Sequence, residues 1–218
     1  MIELLLLAIA VFVFRQQLAG FTAAPGALVK PRASPQLIQL AEYADRLYAE
    51  HKWLAAEKAY LSVLKLDHKN VTAYSHLGII YSTQKNMPDA LECFNIAVRL
   101  KPSASTYQNL GLAFYENKNY MKSIAAFDKA IMFEPSIHRY VGLSKAYKQI
   151  SNTVEMIAAL ERAAKFEPGK KILQLLATAY EDNGRKDEAK EAYRSIYTLD
   201  PADTEAARHI GISLPKTA

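Results

Sequence analysis

A chain of 218 residues, 50% apolar and 22% charged, is long enough for one or two domains with a real core, and eight glycines and nine prolines are too few for a collagenous or low-complexity chain. One cysteine excludes an internal disulfide framework and any CxxC-based zinc or iron–sulfur site. A net charge of +5 is modest for this length and is no nucleic-acid signature, and a mean hydropathy of −0.09 excludes a polytopic membrane protein.

The first fourteen residues carry one charge, Glu3, and from Leu4 to Phe14 every side chain is apolar. Leu4, Leu5, Leu6, Leu7, Ile9, Val11, Phe12, Val13 and Phe14 leave no polar face. As a helix this stretch reaches about 21 Å, short of a hydrocarbon core of about 30 Å. Continuation past Arg15 towards Phe21 supplies the missing length, with Arg15 snorkelling to the interface. Three readings stand: a signal-anchor helix over residues 1–19, a cleaved secretory signal peptide, or a buried core helix. Glu3 stands where a signal peptide wants a cation, and Thr22-Ala23-Ala24 is followed by Pro25, a poor cleavage context. Arg15, Lys30 and Arg32 all follow the segment, which by the positive-inside rule places everything after it in the cytoplasm. The expectation is a single-pass membrane protein, with a secreted or periplasmic protein cleaved near Gly20 as the alternative.

Residues 20–35 hold Gly20, Gly26, Pro25, Pro31 and Pro35, which break a continuous helix and suit a tether. From residue 36 the chain becomes periodic. Pro102, Pro135, Pro168 and Pro201 stand 33 residues apart, and Leu77, Leu110, Leu143 and Leu176 keep the same step. So do Tyr81, Phe114, Tyr147 and Tyr180, and Phe94, Phe127, Leu160 and Tyr193. Ala56, Tyr60 and Val63 add an earlier unit one residue longer, aligned with Ala90, Phe94 and Ala97. Within a unit, Tyr74, Leu77, Gly78 and Tyr81 occupy one face of a helix, and Ala90, Phe94 and Ala97 one face of a second. Asn86-Met87-Pro88-Asp89 reads as the turn between them, with Pro88 tolerated in the first turn of the following helix, and Asn117-Lys118-Asn119 and Asn183-Gly184 mark the same turn in later units. Ser103, Ser136 and Asp203 are placed to cap the helices that follow the prolines. The small residues Gly78, Gly111, Ser144 and Ala177 mark where two helices approach closely. Each hairpin carries bulky residues it cannot bury alone, so neighbours must stack.

These columns resemble the tetratricopeptide repeat. The match rests on Tyr74, Leu77, Gly78, Tyr81, Ala90, Phe94, Ala97 and Pro102, and on Tyr107, Leu110, Gly111, Phe114, Ser123, Phe127, Ala130 and Pro135. A degenerate first unit has Leu40, Tyr43, Ala44 and Leu47, with His68 at the proline position. The resemblance implies an all-α fold: a right-handed α-solenoid of about five helical hairpins over 36–212, preceded by the single hydrophobic helix. The repeats fall at about 37–70, 71–103, 104–136, 137–169 and 170–202, with a capping helix at 203–212.

It also implies a concave groove lined by first helices, which binds proteins or peptides. At its columns stand Asp45 and Tyr48, then Ser75, Ile79 and Ser82, then Gln108, Leu112 and Tyr115. Val141, Lys145 and Lys148, and finally Gln174, Thr178 and Glu181, continue them. Ile79, Leu112, Tyr115 and Val141 are expected to hold an apolar side chain, with Lys145 and Lys148 pairing an acidic group beside it. The chaperone-binding subclass clamps a carboxylate at positions that here hold Ser75, Ile79, Asn109, His138 and Gly142, and Asn109 alone fits.

Nothing forms a catalytic constellation. No GxGxxG or GxxxxGK occurs, and His51, His68, His76, His138 and His209 keep no close ligand spacing. Cys93 beside Phe94 reads as a small packed residue, and Asp187, Glu188 and Glu191 with Lys186 and Lys190 as a solvated helix face. The sequence therefore predicts no enzyme, no cofactor, no metal and no nucleic-acid partner. It predicts a membrane-tethered scaffold for protein or peptide ligands.

Overall fold

A computed structural model describes residues 34–212. The expected anchor at 1–19 and all but the last residues of the expected linker lie outside the described residues. Among the described residues, no helix is long and apolar enough to cross a membrane.

Eleven helices and no strands are described. They are α1 (Pro35–Ala49), α2 (Trp53–Leu66), α3 (Val71–Thr83), α4 (Met87–Leu100), α5 (Ala104–Glu116), α6 (Tyr120–Phe133), α7 (Ile137–Gln149), α8 (Thr153–Phe166), α9 (Lys170–Asp182), α10 (Lys186–Leu199) and α11 (Thr204–Ile210). Pro35 begins α1 rather than ending a linker, because a first-turn proline loses no hydrogen bond; Ser34 Oγ accepts the Leu37 N–H at 3.2 Å.

The two helices of each repeat are joined by three residues, and the middle one lies in the left-handed region. It is His51, Lys85, Lys118, Ser151 and Gly184 in turn, with φ of 57°, 62°, 58°, 57° and 72°. In every turn the third residue donates its N–H back to the helix just ended: Lys52 to Leu47 O, Asn86 to Tyr81 O, Asn119 to Phe114 O, Asn152 to Tyr147 O and Arg185 to Tyr180 O, at 2.8–3.0 Å. The middle N–H bonds one residue further along, as from Lys118 to Tyr115 O at 2.9 Å. This pair of bonds is the Schellman motif, which satisfies carbonyls orphaned at a helix end. The second repeat's turn is accordingly Gln84-Lys85-Asn86, not Asn86–Asp89. Met87 and Pro88 already belong to α4, where proline in the first turn is tolerated.

Each second helix ends two residues before its proline column, and a capped first helix follows. Asn70, Ser103, Ser136 and Asp203 accept the N–H groups of Ala73, Thr106, Arg139 and Ala206 at 2.9, 3.2, 3.4 and 2.8 Å. Gly169 caps α9 without a side chain.

The repeating columns form the core. Leu77, Leu110, Leu143 and Leu176, Phe94, Phe127, Leu160 and Tyr193, and Ala97, Ala130, Ala163 and Ile196 are all buried. The close approaches are real: a Cβ on Gly78 would come within 2.6 Å of the Phe94 ring, and one on Gly111 within 3.2 Å of Phe127. A third glycine also serves this packing. Gly142, in the next repeat, lies so near the tip of Phe127 that a Cβ there would stand 2.5 Å from it. Buried Ser123 holds the alanine column by donating its Oγ–H to Gly111 O at 2.8 Å.

Arg139 is a buried cation in a column otherwise held by Ala73, Thr106 and Ile172. Its Nη1 donates to Glu134 O at 2.6 Å and its Nη2 pairs with the Glu134 carboxylate at 3.2 Å. Thr106 Oγ1 bonds Lys101 O at the same offset, so both side chains tie off the end of the preceding second helix.

Candidate functional site

First helix α5 touches both α3 and α7 directly, so successive repeats build one face from the same helix positions. None of the fourteen positions predicted to line it is buried. Asp45, Leu112, Lys145, Lys148, Thr178 and Glu181 are exposed, and the remaining eight half-buried.

At the start of this face the side chains are engaged with one another. Tyr60 Oη donates to Asp45 Oδ1 at 2.7 Å and lies 2.5 Å from His76 Nδ1. The hydroxyl has one proton, so with that proton on Asp45 the His76 Nδ1–H is the donor to Tyr60. The His76 ring stacks on Tyr48, with centres 4.3 Å apart. Burial pulls the His76 pKa below its usual 6.5, against the smaller attraction of Asp45, and burial followed by the Asp45 bond pushes Tyr60 up. His76 is thus a packed histidine in an aromatic corner. The far end is engaged too: Glu181 accepts from Tyr193 Oη at 3.2 Å and pairs with His209 Nδ1 at 3.0 Å, while His209 stacks on Tyr193. Ser75 and Thr178 hydroxyls donate to their own helices, to Val71 O and Gln174 O.

Between these ends lie two hollows. One, of about 190 Å³, opens between α3 and α5, and Ile79, Ser82 and Leu112 line it with Phe94, Asn109 and Glu116. The other, of about 550 Å³, opens between α7 and α9, lined by Ile137, His138, Val141, Lys145, Glu167, Lys171, Ile172 and Leu175. At the step between them, α5 to α7, Gly142 presents no side chain and the Phe127 ring fills the space. Ile79 and Leu112 therefore share a hollow, Val141 and Lys145 share the other, and the four apolar residues expected to act together do not converge. Tyr115 lines neither; its Oη accepts from Gln149 Nε2 at 3.3 Å and its ring meets the edge of Tyr120. The groove columns read from the sequence do not include Lys171 and Leu175, and His138 stands there only as a carboxylate-clamp position. All three stand on two further columns of the same 33-residue step, with Ser105, and with His76, Asn109 and Gly142.

Among the described residues no group of three or more His, Cys, Asp or Glu side chains is arranged to hold a metal ion. Cys93 is buried, and burial pushes its thiol up to about 11, which suppresses the reactive thiolate.

Three family models described as tetratricopeptide repeat match residues 43–105, 104–137 and 170–212. No curated protein matches the chain. Among solved structures, one crystal structure of MamA is similar at 27% identity, covering 72% of this chain and 94% of that one with a TM-score of 0.65. A second MamA crystal structure is similar at 25% identity, covering 82% and 97%, with a TM-score of 0.67. YrrB, described as a TPR protein with an unusual peptide-binding site, shares the fold at 16% identity, covering 80% and 91%, with a TM-score of 0.61.

Proposed function

The chain belongs to the tetratricopeptide repeat family, and from that premise we propose that it is a non-enzymatic scaffold that holds partner proteins or peptides on the face built by its first helices. One observation carries this reading. Five side chains of those helices, Ile79, Ser82, Leu112, Val141 and Lys145, line two open hollows on that face, while the leucine and alanine columns that build the fold are buried in the core. A surface whose apolar groups are left open between stacked helices is suited to an extended or helical segment of another chain. Ile79, Ser82, Leu112, Val141 and Lys145 are its central contacts. Tyr48, Ser75, Gln108, Tyr115, Lys148, Gln174, Thr178 and Glu181 flank them. Residues 1–19 anchor this scaffold in a membrane and 20–35 tether it, which rests on the uninterrupted apolar run from Leu4 to Phe14 and the cations after it.

Proximity labelling from the repeat domain tests the first part. Partners should be marked by the wild-type chain and lost from a variant carrying Leu112→Asp with Val141→Asp; partners retained in full by that variant refute the face. Alkaline extraction of membranes with N-terminal sequencing tests the second. An intact chain that stays with the membrane supports the anchor, and a soluble chain beginning near Gly20 refutes it.

A further inference from the structure

The two hollows differ in charge. The one between α3 and α5 has a single ionic side chain at its rim, Glu116. The one between α7 and α9 has Lys145 and Lys171 facing it from both helices, with His138 beside them and Glu167 as its one acid. Lys148 follows one turn after Lys145 on α7. Among the described residues, neither Lys145 nor Lys171 has an ion-pair partner, whereas the neighbouring Lys170 is held by Asp200 and Asp203 at 2.8 Å each. Below these ammonium groups the walls are apolar: Ile137 and Val141 from α7, Ile172 and Leu175 from α9. Leu175 keeps 42% of its surface exposed, at the column where the preceding repeat has glycine. A volume of about 550 Å³ falls within the range of sites that enclose a ligand group of drug size, and lies well above the 190 Å³ of the α3–α5 hollow.

Building on the partner-binding reading, we infer that the α7–α9 hollow seats one bulky apolar side chain of an acidic peptide segment, whose carboxylates pair with Lys145 and Lys171. The apolar walls exclude a purely ionic ligand as the best fit, because a polyanion without an apolar group leaves Leu175 and Val141 wet. The paired lysines exclude a basic or neutral segment, which would leave two cations to be partly desolvated without partners. The charge difference between the hollows also sets direction: the acidic portion of a bound segment lies towards α9.

A random heptapeptide display library selected on the immobilised full chain tests this, followed by fluorescence anisotropy on the synthesised winners. The expected winners carry Phe, Leu, Ile or Met beside Asp or Glu. Lys145→Glu with Lys171→Glu should weaken them about tenfold or more, and Lys145→Gln with Lys171→Gln should weaken them less while flattening the salt dependence. Leu175→Ala should weaken them at every salt concentration, and Ile79→Ala, in the other hollow, about twofold or less. All four positions are exposed or half-buried, and circular dichroism checks that each variant keeps its helices. Winners without an acidic residue, winners whose apolar residue can be replaced by alanine without loss, or winners that bind the double Glu variant in full overturn this inference and leave the partner-binding reading standing. A selection that yields no peptide overturns both.

Discussion

Phe127 depends on two glycines from two different helices, and Gly142 makes the tighter contact. Alanine in a helix interior is favoured over glycine by about 1 kcal/mol, whereas forcing a methyl to 2.5 Å from a packed ring costs about 1–3 kcal/mol. The strain should win: Gly142→Ala is expected to lose about 1–2 kcal/mol in urea unfolding, and Phe127→Leu in the same chain to recover part of it. His76 gives a second test, read in pH. Its folded pKa lies below 6.5, so between the two values the unfolded chain binds the extra proton. Its contribution is therefore complete above about pH 6.5 and is lost as pH falls towards the folded value. Melting temperatures should fall on acidification from neutral pH, and less steeply in His76→Gln; equal slopes would remove His76 from the account.

The hairpin turns show what a sequence column hides. Four of the five left-handed positions hold His, Lys, Lys and Ser, residues that carry a steric cost there of about 1 kcal/mol. Lys118→Gly should therefore stabilise the chain by about 0.5–1 kcal/mol, after the extra freedom glycine gains in the unfolded state, and Gly184→Ala should cost about 1 kcal/mol. Chemical denaturation of both variants checks the pair. Glycine marks only the last of these turns in the sequence, and the Asn86–Asp89 reading, which already sets Pro88 in the first turn of the following helix, shares only Asn86 with the observed turn. Caps were more legible: Ser103, Ser136 and Asp203 were visible from their place after a proline column, while Asn70 follows a unit without that proline and was missed. The face was read on three of its columns. Two further columns, weighed only as carboxylate-clamp positions, bear His138 and Lys171, and Asn109 and Leu175; Asn109 faces the α3–α5 hollow and the other three the α7–α9 hollow, a division that depends on how neighbouring repeats stack and not on spacing within one.

At the scale of the whole repeat domain, each hairpin packs on its neighbours, so stability is built locally and lost locally. The last repeat is closed by α11, whose start Asp203 caps while also pairing with Lys170 at 2.8 Å. Asp203→Ala should cost about 1–2 kcal/mol, with hydrogen exchange accelerating in residues 170–212 and remaining unchanged in 71–133. A uniform rise in exchange would mean that the array melts as one body. The ring of Phe127, seated between Gly111 and Gly142, gives this array an uneven stiffness. Close-packed joints transmit a load, and joints with open space absorb it. Repeats three and four are thus keyed into a single rigid segment. One step on, where Leu160 replaces the ring and Leu175 the glycine, the hollow of about 550 Å³ leaves a compliant joint. Of the two joints flanking α7, the one to α9 yields more readily, so the width of that hollow is a dimension of the face that a bound partner can adjust.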